Sequence, residues 1–275
     1  MENFKHYLIT LFNVESEKWN KMLNNEGIDK KKWIKRRISL FEKYCLPSVL
    51  NQTNEKFKWI ICISPKTDRN NREFLKGVKA NSGGIKILEV THLSTLTKKL
   101  EEFIQNDMQG KKDYVITSRL DNDDAVIKTY IDKVQKEFQE QEFGKVRFSR
   151  GYQLLSGKDY RVKEVVFPNG PFINLIEETK SGISTVYKKS HNEWDQEGVK
   201  NIDKEPRWVQ VIHKDNLRND EYVGITKKSP NLHQYGIEKE IDMSLISYMQ
   251  NLIYDLKIKL KKKVLEIKKC IKSVM

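Results

Sequence analysis

The sequence predicts an α/β fold: a mixed, mainly parallel sheet flanked by helices, with a basic amphipathic helix at the C-terminus. Three observations carry this expectation. Apolar runs alternate with amphipathic stretches through residue 140. The run FKWIICIS (57–64) is apolar almost throughout, as in a central strand covered on both faces. Residues 252–274 place apolar side chains on one face and lysines over most of the rest.

The elements follow in order. HYLITLFNV (6–14) reads as a first buried strand. Ile34, Ile38, Phe41, Cys45 and Val49 recur at spacings of three and four, predicting a helix over 33–50 that Pro47 would kink near its end. FKWIICIS is the second strand, and SPKTDRN behind it is turn chemistry. GGIKILEV (83–90) is a third strand. Leu96, Leu100, Phe103, Ile104 and Met108 mark a helix, and YVITSRL (114–120) is a fourth strand. Ile127, Tyr130, Ile131, Val134 and Phe138 mark the next helix. Beyond it, 146–167 reads as hairpins turning at SGKD, with short strands at ISTVYKKS (183–190) and RWVQVIH (207–213). Strands separated by helices imply right-handed crossovers and a parallel sheet, whose ligands bind beyond the carboxyl ends of the strands.

The chain has 275 residues, enough for one large domain with its own core. Lys and Arg number 51 against 38 Asp and Glu, a net charge of +13 that attracts polyanions. The lysines are dispersed, and neither zinc-ligand spacing nor an aromatic RNA-binding signature occurs, so nucleic acid is not an expected partner. The three cysteines, Cys45, Cys62 and Cys270, form no framework, which favours a reducing compartment. With no signal-peptide pattern and no run long enough to span a bilayer, the expected location is cytoplasmic, or peripheral on the inner face of the cell membrane.

Against this basic background, TSRLDNDDAV (117–126) concentrates Asp121, Asp123 and Asp124 at the end of the fourth strand. One aspartate suffices to cap a following helix. Three crowded carboxylates repel unless a cation sits among them, and a hard divalent ion with oxygen ligands removes that cost. An Asp-x-Asp beyond a strand, holding Mn²⁺ or Mg²⁺, is suited to gripping a diphosphate and neutralising its charge as it leaves. Arg119 would add to that charge or pair with a neighbouring aspartate; both readings stand. Metal-dependent nucleotidyl or phosphoryl transfer also uses strand-end aspartates, although the absence of GxxxxGK[ST] removes its commonest version.

The strand–DxD–helix pattern resembles the nucleotide-sugar-binding half of GT-A glycosyltransferases. More specifically, the chain resembles a rhamnosyltransferase family of bacterial polysaccharide loci. The matching residues run along most of 6–220: LFNV (11–14), LFEKYCLPSVLNQT (40–53), FKWIICIS (57–64), TSRLDNDDA (117–125) and PRWVQVIHKDNLRN (206–219). One departure is Leu11, where the family's first motif carries Arg.

The resemblance implies a GT-A-like fold, with a glycosyltransferase domain over 1–230 (nucleotide-binding half 1–140, acceptor-side half 141–230) and a basic helical tail over 231–275. It implies transfer of a sugar from a nucleoside-diphosphate donor to a surface-glycan or lipid-linked acceptor. By position, Asp121 contacts the ribose or orients its loop. Asp123 is the main metal ligand, Asp124 ligates or supports it, and His213 completes the metal or pyrophosphate site. Thr10, Phe12 and Asn13 line the nucleoside base. An inverting transfer needs a carboxylate to take the acceptor's proton; Asp203 and Glu205 are placed for it in chain order, with Asp195 behind them. Retaining transfer needs no such base. The lysine-rich tail suits an anionic membrane surface, with a helix packed on its own domain or in a coiled coil as the alternatives.

Overall fold

The computed structural model describes residues 3–25, 27–80, 84–109, 112–155, 160–191, 193–194, 198–213 and 221–274, without the side chains of 18, 266 and 268–274. The SGKD turn, Asp195, residues 215–219 and the Cys270 side chain therefore lie outside the described residues.

The chain begins with β1 (Phe4–Leu11), whose alternate faces are both buried, followed by α1 (Glu17–Asn25) and α2 (Lys30–Leu40). Asp29 caps α2 by accepting from Lys32 N at 2.8 Å. The helix expected over 33–50 is divided. A π-helical turn, Phe41–Cys45, leads into the short α3 (Leu46–Leu50), with Pro47 in its first turn. Proline has no N–H to give, and the wider turn closes instead through Leu46 N–H to Phe41 O. The proline thus starts a new helix rather than kinking the old one, and the turn buries Phe41, Tyr44 and Cys45.

β2 (Lys58–Ile63), α4 (Arg69–Ala80), β3 (Ile85–Glu89), α5 (Leu96–Met108) and β4 (Tyr114–Arg119) continue the alternation. In α5, Leu96, Leu100, Ile104 and Met108 form the buried stripe. A two-residue strand, β5 (Ala125–Val126), separates the carboxylates from α6 (Tyr130–Lys136), so they do not cap that helix; Thr129 occupies the cap position. The remaining strands are β6 (Phe143–Phe148), β7 (Arg150–Leu155), β8 (Arg161–Val166), β9 (Ile173–Glu178), β10 (Val199–Ile202), β11 (Trp208–Ile212) and β12 (Gly224–Thr226). A thirty-residue helix, α7 (Leu245–Val274), ends the fold.

The main sheet has the order β10-β6-β9-β4-β1-β2-β3. β4, β1, β2 and β3 are mutually parallel, and β9 joins them antiparallel to β4 and β6. A second sheet, β12-β8-β7-β11-β5, packs beside it. Residues 183–190, expected as a strand, are turns instead: Thr185 sits at φ 63°, and Ile183 and Val186 dip into the core under the sheet.

The polar side chains inside the sheet satisfy one another. Ser118 Oγ donates to Asn174 Oδ1, so His6 Nε2–H donates to Ser118 at 2.7 Å, while Gln135 reaches His6 Nδ1 at 3.4 Å. Burial pushes the His6 imidazole down to about 3, keeping it neutral.

Candidate active site

Four carboxyl ends of parallel strands face one way, and the loop leaving β4 carries the aspartates to that end. Leu120 N–H bonds Ile9 O at 3.1 Å, and Asn122, fully buried, donates from Nδ2 to Phe12 O at 2.7 Å. The loop is therefore pinned to β1 on both sides of Asp121. Asp124 N–H closes a turn onto Asp121 O at 3.2 Å, and β5 then pairs antiparallel with β11. That pairing brings the end of β11 alongside the cluster.

Asp123 and Asp124 are buried, at 6% and 3% exposure. Asp123 Oδ2 is met by Arg37 Nη1 at 2.6 Å and by His213 Nε2 at 2.9 Å. Burial pushes the Asp123 carboxyl up, but Arg37 and His213 outweigh it and hold the group below the ordinary carboxylate range. Asp124 Oδ1 accepts from Val211 N at 2.9 Å. Burial, and then the charges of Asp123 and Asp121, raise the Asp124 carboxyl well above its ordinary value. Asp121 pairs with Arg119, whose Nε and Nη2 lie 3.1 and 3.3 Å from its two oxygens. The Arg119 guanidinium lies 5.2 Å over the Tyr187 ring. Burial opposes its charge, but Asp121 makes it more basic than usual. Cys45 lies beneath the cluster; burial and the nearby Asp123 and Asp124 push its thiol up.

The structure thus brings Asp121, Asp123, Asp124, Arg119 and His213 together. Arg37 completes the group from α2; Trp33 of that helix and Phe41 of the π-helical turn after it are buried one turn to either side. That spacing of four on each side puts Arg37 on the inward face, a signal present in the sequence. Its guanidinium also lies 5.4 Å over the Trp33 ring.

The trio at the end of β1 and just beyond it divides. Thr10 is buried and accepts from Trp59 Nε1 at 3.0 Å, and Phe12 packs edge-on against Phe41. Asn13 alone reaches the surface, tying the loop after β2 through Ser64 N and Thr67 Oγ1, each at 3.0 Å. It borders a cavity of about 20 Å³ lined also by Val14, Ser16, Trp19, Leu23 and Trp33. A larger cavity, about 680 Å³, lies at the amino ends of β1 and β2, the opposite end from the aspartates.

Asp203 and Glu205 are not brought to the cluster. Both are exposed and precede β11, whereas His213 follows it. The five residues of β11 alone span about 13 Å. Arg150 Nε bonds the Asp203 carbonyl, and Glu205 pairs with Arg207.

The donor types around Asp123 fit a hard divalent cation. His213 Nε2 and Asp123 Oδ2 are joined directly by a hydrogen bond of 2.9 Å, which an ion bound to both would replace. Among the described residues, no three His, Cys, Asp or Glu side chains surround one point, so such an ion would need oxygens from substrate or water. It would also have to share Asp123 with Arg37.

The family model described as "Putative rhamnosyl transferase" matches residues 10–224. Solved structures similar to the chain include S. aureus TarS 1-349 (12% identity, 75% of this chain, 60% of that one, TM-score 0.43). The same protein in complex with UDP-GlcNAc aligns at 13% identity over 80% of this chain and 62% of that one, with TM-score 0.41. A nucleotide-diphospho-sugar transferase from Desulfovibrio desulfuricans G20 aligns at 9% identity over 77% and 82%, with TM-score 0.37. The chain therefore spans about 60% of the length of the TarS 1-349 structure it matches. No curated protein matches it. The family match runs from the end of β1 through the aspartate loop and β11, and on that evidence the chain belongs to the rhamnosyl transferase family of glycosyltransferases.

Proposed function

We propose that this protein transfers a sugar from a nucleoside-diphosphate donor to a glycan or lipid-linked acceptor, with the donor's diphosphate seated at the end of β4. The observation that carries this reading is the meeting of Asp123, Asp124, Arg37 and His213 at the carboxyl end of a parallel sheet, within the family-matched segment.

Asp123, with His213 or Asp124 beside it and oxygens from substrate and water, would hold Mn²⁺ or Mg²⁺. Bound there, the ion would supply Lewis-acid neutralisation of the departing diphosphate. The chain's own groups account for the rest. Arg119 and Arg37 bring positive charge to the carboxyl ends of the strands, where the leaving group gathers negative charge. Asn122 and Leu120 keep the loop against β1, so the carboxylates are set before substrate arrives. Burial of Asp123 and Asp124 strengthens each of these interactions by excluding water.

A second reading is favoured by the 2.6 Å contact between Arg37 and Asp123. In it the guanidinium serves as the resident cation of the site, and the diphosphate binds Arg37 and Arg119 without a metal. Thermal-shift measurements with UDP, dTDP, GDP and CMP, with and without Mn²⁺, separate the two. A diphosphate-specific rise that requires Mn²⁺ and vanishes in Asp123→Asn supports the first reading. A rise indifferent to Mn²⁺ and EDTA supports the second. No response to any nucleotide under either condition overturns both.

A further inference from the structure

The helix α7 is attached with its polar side inward. Asp255 is 4% exposed and accepts from both Thr226 N (2.9 Å) and Thr226 Oγ1 (2.6 Å) on β12. Its other oxygen lies 3.0 Å from Lys163 Nζ on β8, a lysine only 1% exposed. Arg161 Nη1 donates to Asn251 Oδ1 at 3.0 Å, one turn earlier on the same face. These contacts fix the rotation of the helix on the edge of the second sheet.

The apolar residues are left on the other side. Ile246, Met249, Ile253, Leu256, Leu260, Val264 and Ile267 recur at spacings of three and four, and each is about half exposed or more, up to 73% at Ile246. At 3.6 residues per turn the stripe falls roughly opposite Asp255 and runs for about 32 Å. Lys257 and Lys263 fall on its two margins, Lys259 and Lys261 lie further round on either side, and all four are exposed. Between Asp255 and the end of the chain, Glu266 is the only acidic residue. No helix among the described residues is long and apolar enough to cross a membrane.

We infer that α7 lies in the interface plane of an anionic phospholipid bilayer, with the 246–267 stripe at the acyl boundary and the flanking lysines among the headgroups. Charge selects this occupant. A stripe with lysine margins is complementary to an anionic surface, and its long basic side chains reach outward to headgroups while their stems cover apolar surface. A second copy of α7 would set the same lysine margins against each other, with Glu266 as the only acid available to either. Docking through Asp255 holds the helix on the β12 edge. The aspartate loop leads into β5 at the opposite edge, four strand spacings or about 19 Å across the sheet. A membrane-held α7 therefore keeps the catalytic end within reach of an acceptor displayed at the same surface.

The test is co-sedimentation of the full chain with vesicles of phosphatidylcholine alone and with about 30 mol% phosphatidylglycerol, near physiological salt. The expected result is binding to the anionic vesicles at least tenfold stronger than to the neutral ones. Leu256→Glu with Leu260→Glu, both at exposed positions, is expected to abolish it. Lys257→Gln with Lys261→Gln and Lys263→Gln is expected to weaken it about 10- to 100-fold. Absence of binding to either vesicle, or undiminished binding by the Leu→Glu variant, overturns the inference. So does a lipid-independent dimer in sedimentation velocity that the Leu→Glu variant dissolves, because the stripe then belongs to a second copy. These readouts use no nucleotide, so they stand or fall independently of the donor site.

Discussion

Arg37 Nη1 and His213 Nε2 converge on a single oxygen of Asp123, at 2.6 and 2.9 Å. One arrives from a helix 86 residues upstream, the other from the end of a strand 90 residues downstream. The Arg37–Asp123 pair is largely withdrawn from water, so removing either charge strands the other in a low-dielectric place. Asp123→Asn is expected to lower unfolding stability by about 3 kcal/mol and to remove any nucleotide response. Arg37→Gln is the informative partner. If a divalent ion and the guanidinium compete for Asp123, this variant loses stability without metal but shows a larger Mn²⁺-induced rise in Tm than the wild type. If the guanidinium is itself the site's cation, Mn²⁺ restores nothing and the nucleotide response is lost. Chemical denaturation and thermal shift on the same samples give both quantities.

Asp124 makes the opposite prediction. Its carboxyl is raised by burial and by the neighbouring aspartates, so the folded state holds its proton more tightly than the unfolded chain does. The cost of this site therefore appears as pH rises above the ordinary carboxylate range, and it is absent well below it. Asp124→Asn keeps an acceptor for Val211 N–H and removes the charge. It is expected to stabilise the protein by about 1 kcal/mol at pH 8 and by nearly nothing at pH 4, while weakening any Mn²⁺ response. A destabilised variant at both pH values would show that the charge is already neutralised in the fold.

His6 supplies a pH dependence away from the site. Its folded value, about 3, lies below the unfolded value near 6.5. The unfolded chain takes up a proton below pH 6.5 and the folded chain does not, so stability falls as pH drops from about 6.5 towards 3. The slope is up to ~1.4 kcal/mol per pH unit for this one group. His6→Gln lowers stability at pH 7 by breaking the bonds with Ser118 and Gln135, but flattens the profile between pH 6.5 and 4. Denaturant midpoints across that window check the slope.

Much of this arrangement is legible in the residues. β2 and β4 are apolar runs buried on both faces, and nothing but a central strand accommodates them. The aspartates are legible as a cluster because their charge contrasts with the chain around them. What sequence periodicity misses are features set by tertiary contact. Ile183 and Val186 belong to a short run rich in β-branched residues, yet they are anchors of a turn packed under the sheet. α4 gives little periodic signal because only Leu75 and Val78 of its twelve residues are buried. Thr10 and Phe12 are buried because β1 lies inside the sheet, between β4 and β2, with packed side chains on both faces. Glu205 and His213 are near in sequence but on opposite ends of β11, a separation that only the strand's extended geometry enforces.

The attachment of α7 rests on one buried carboxylate, and that makes it testable by a single substitution. Asp255 accepts two bonds from Thr226 and neutralises Lys163, which is also 2.8 Å from Glu221. In Asp255→Ala, Lys163 keeps a half-exposed partner but loses its buried one, and Thr226 N–H and hydroxyl lose their acceptor. The cost is expected to be about 3 kcal/mol, concentrated on the docking of the helix rather than on the main sheet. Limited proteolysis is then expected to cut between β12 and α7 far sooner than in the wild type, while the domain that remains keeps its nucleotide response. Asp255→Asn preserves the acceptor for Thr226 and loses only the ion pair, so its cleavage rate should fall between the two. Equal cleavage of all three proteins would place the helix's anchorage in its apolar contacts instead.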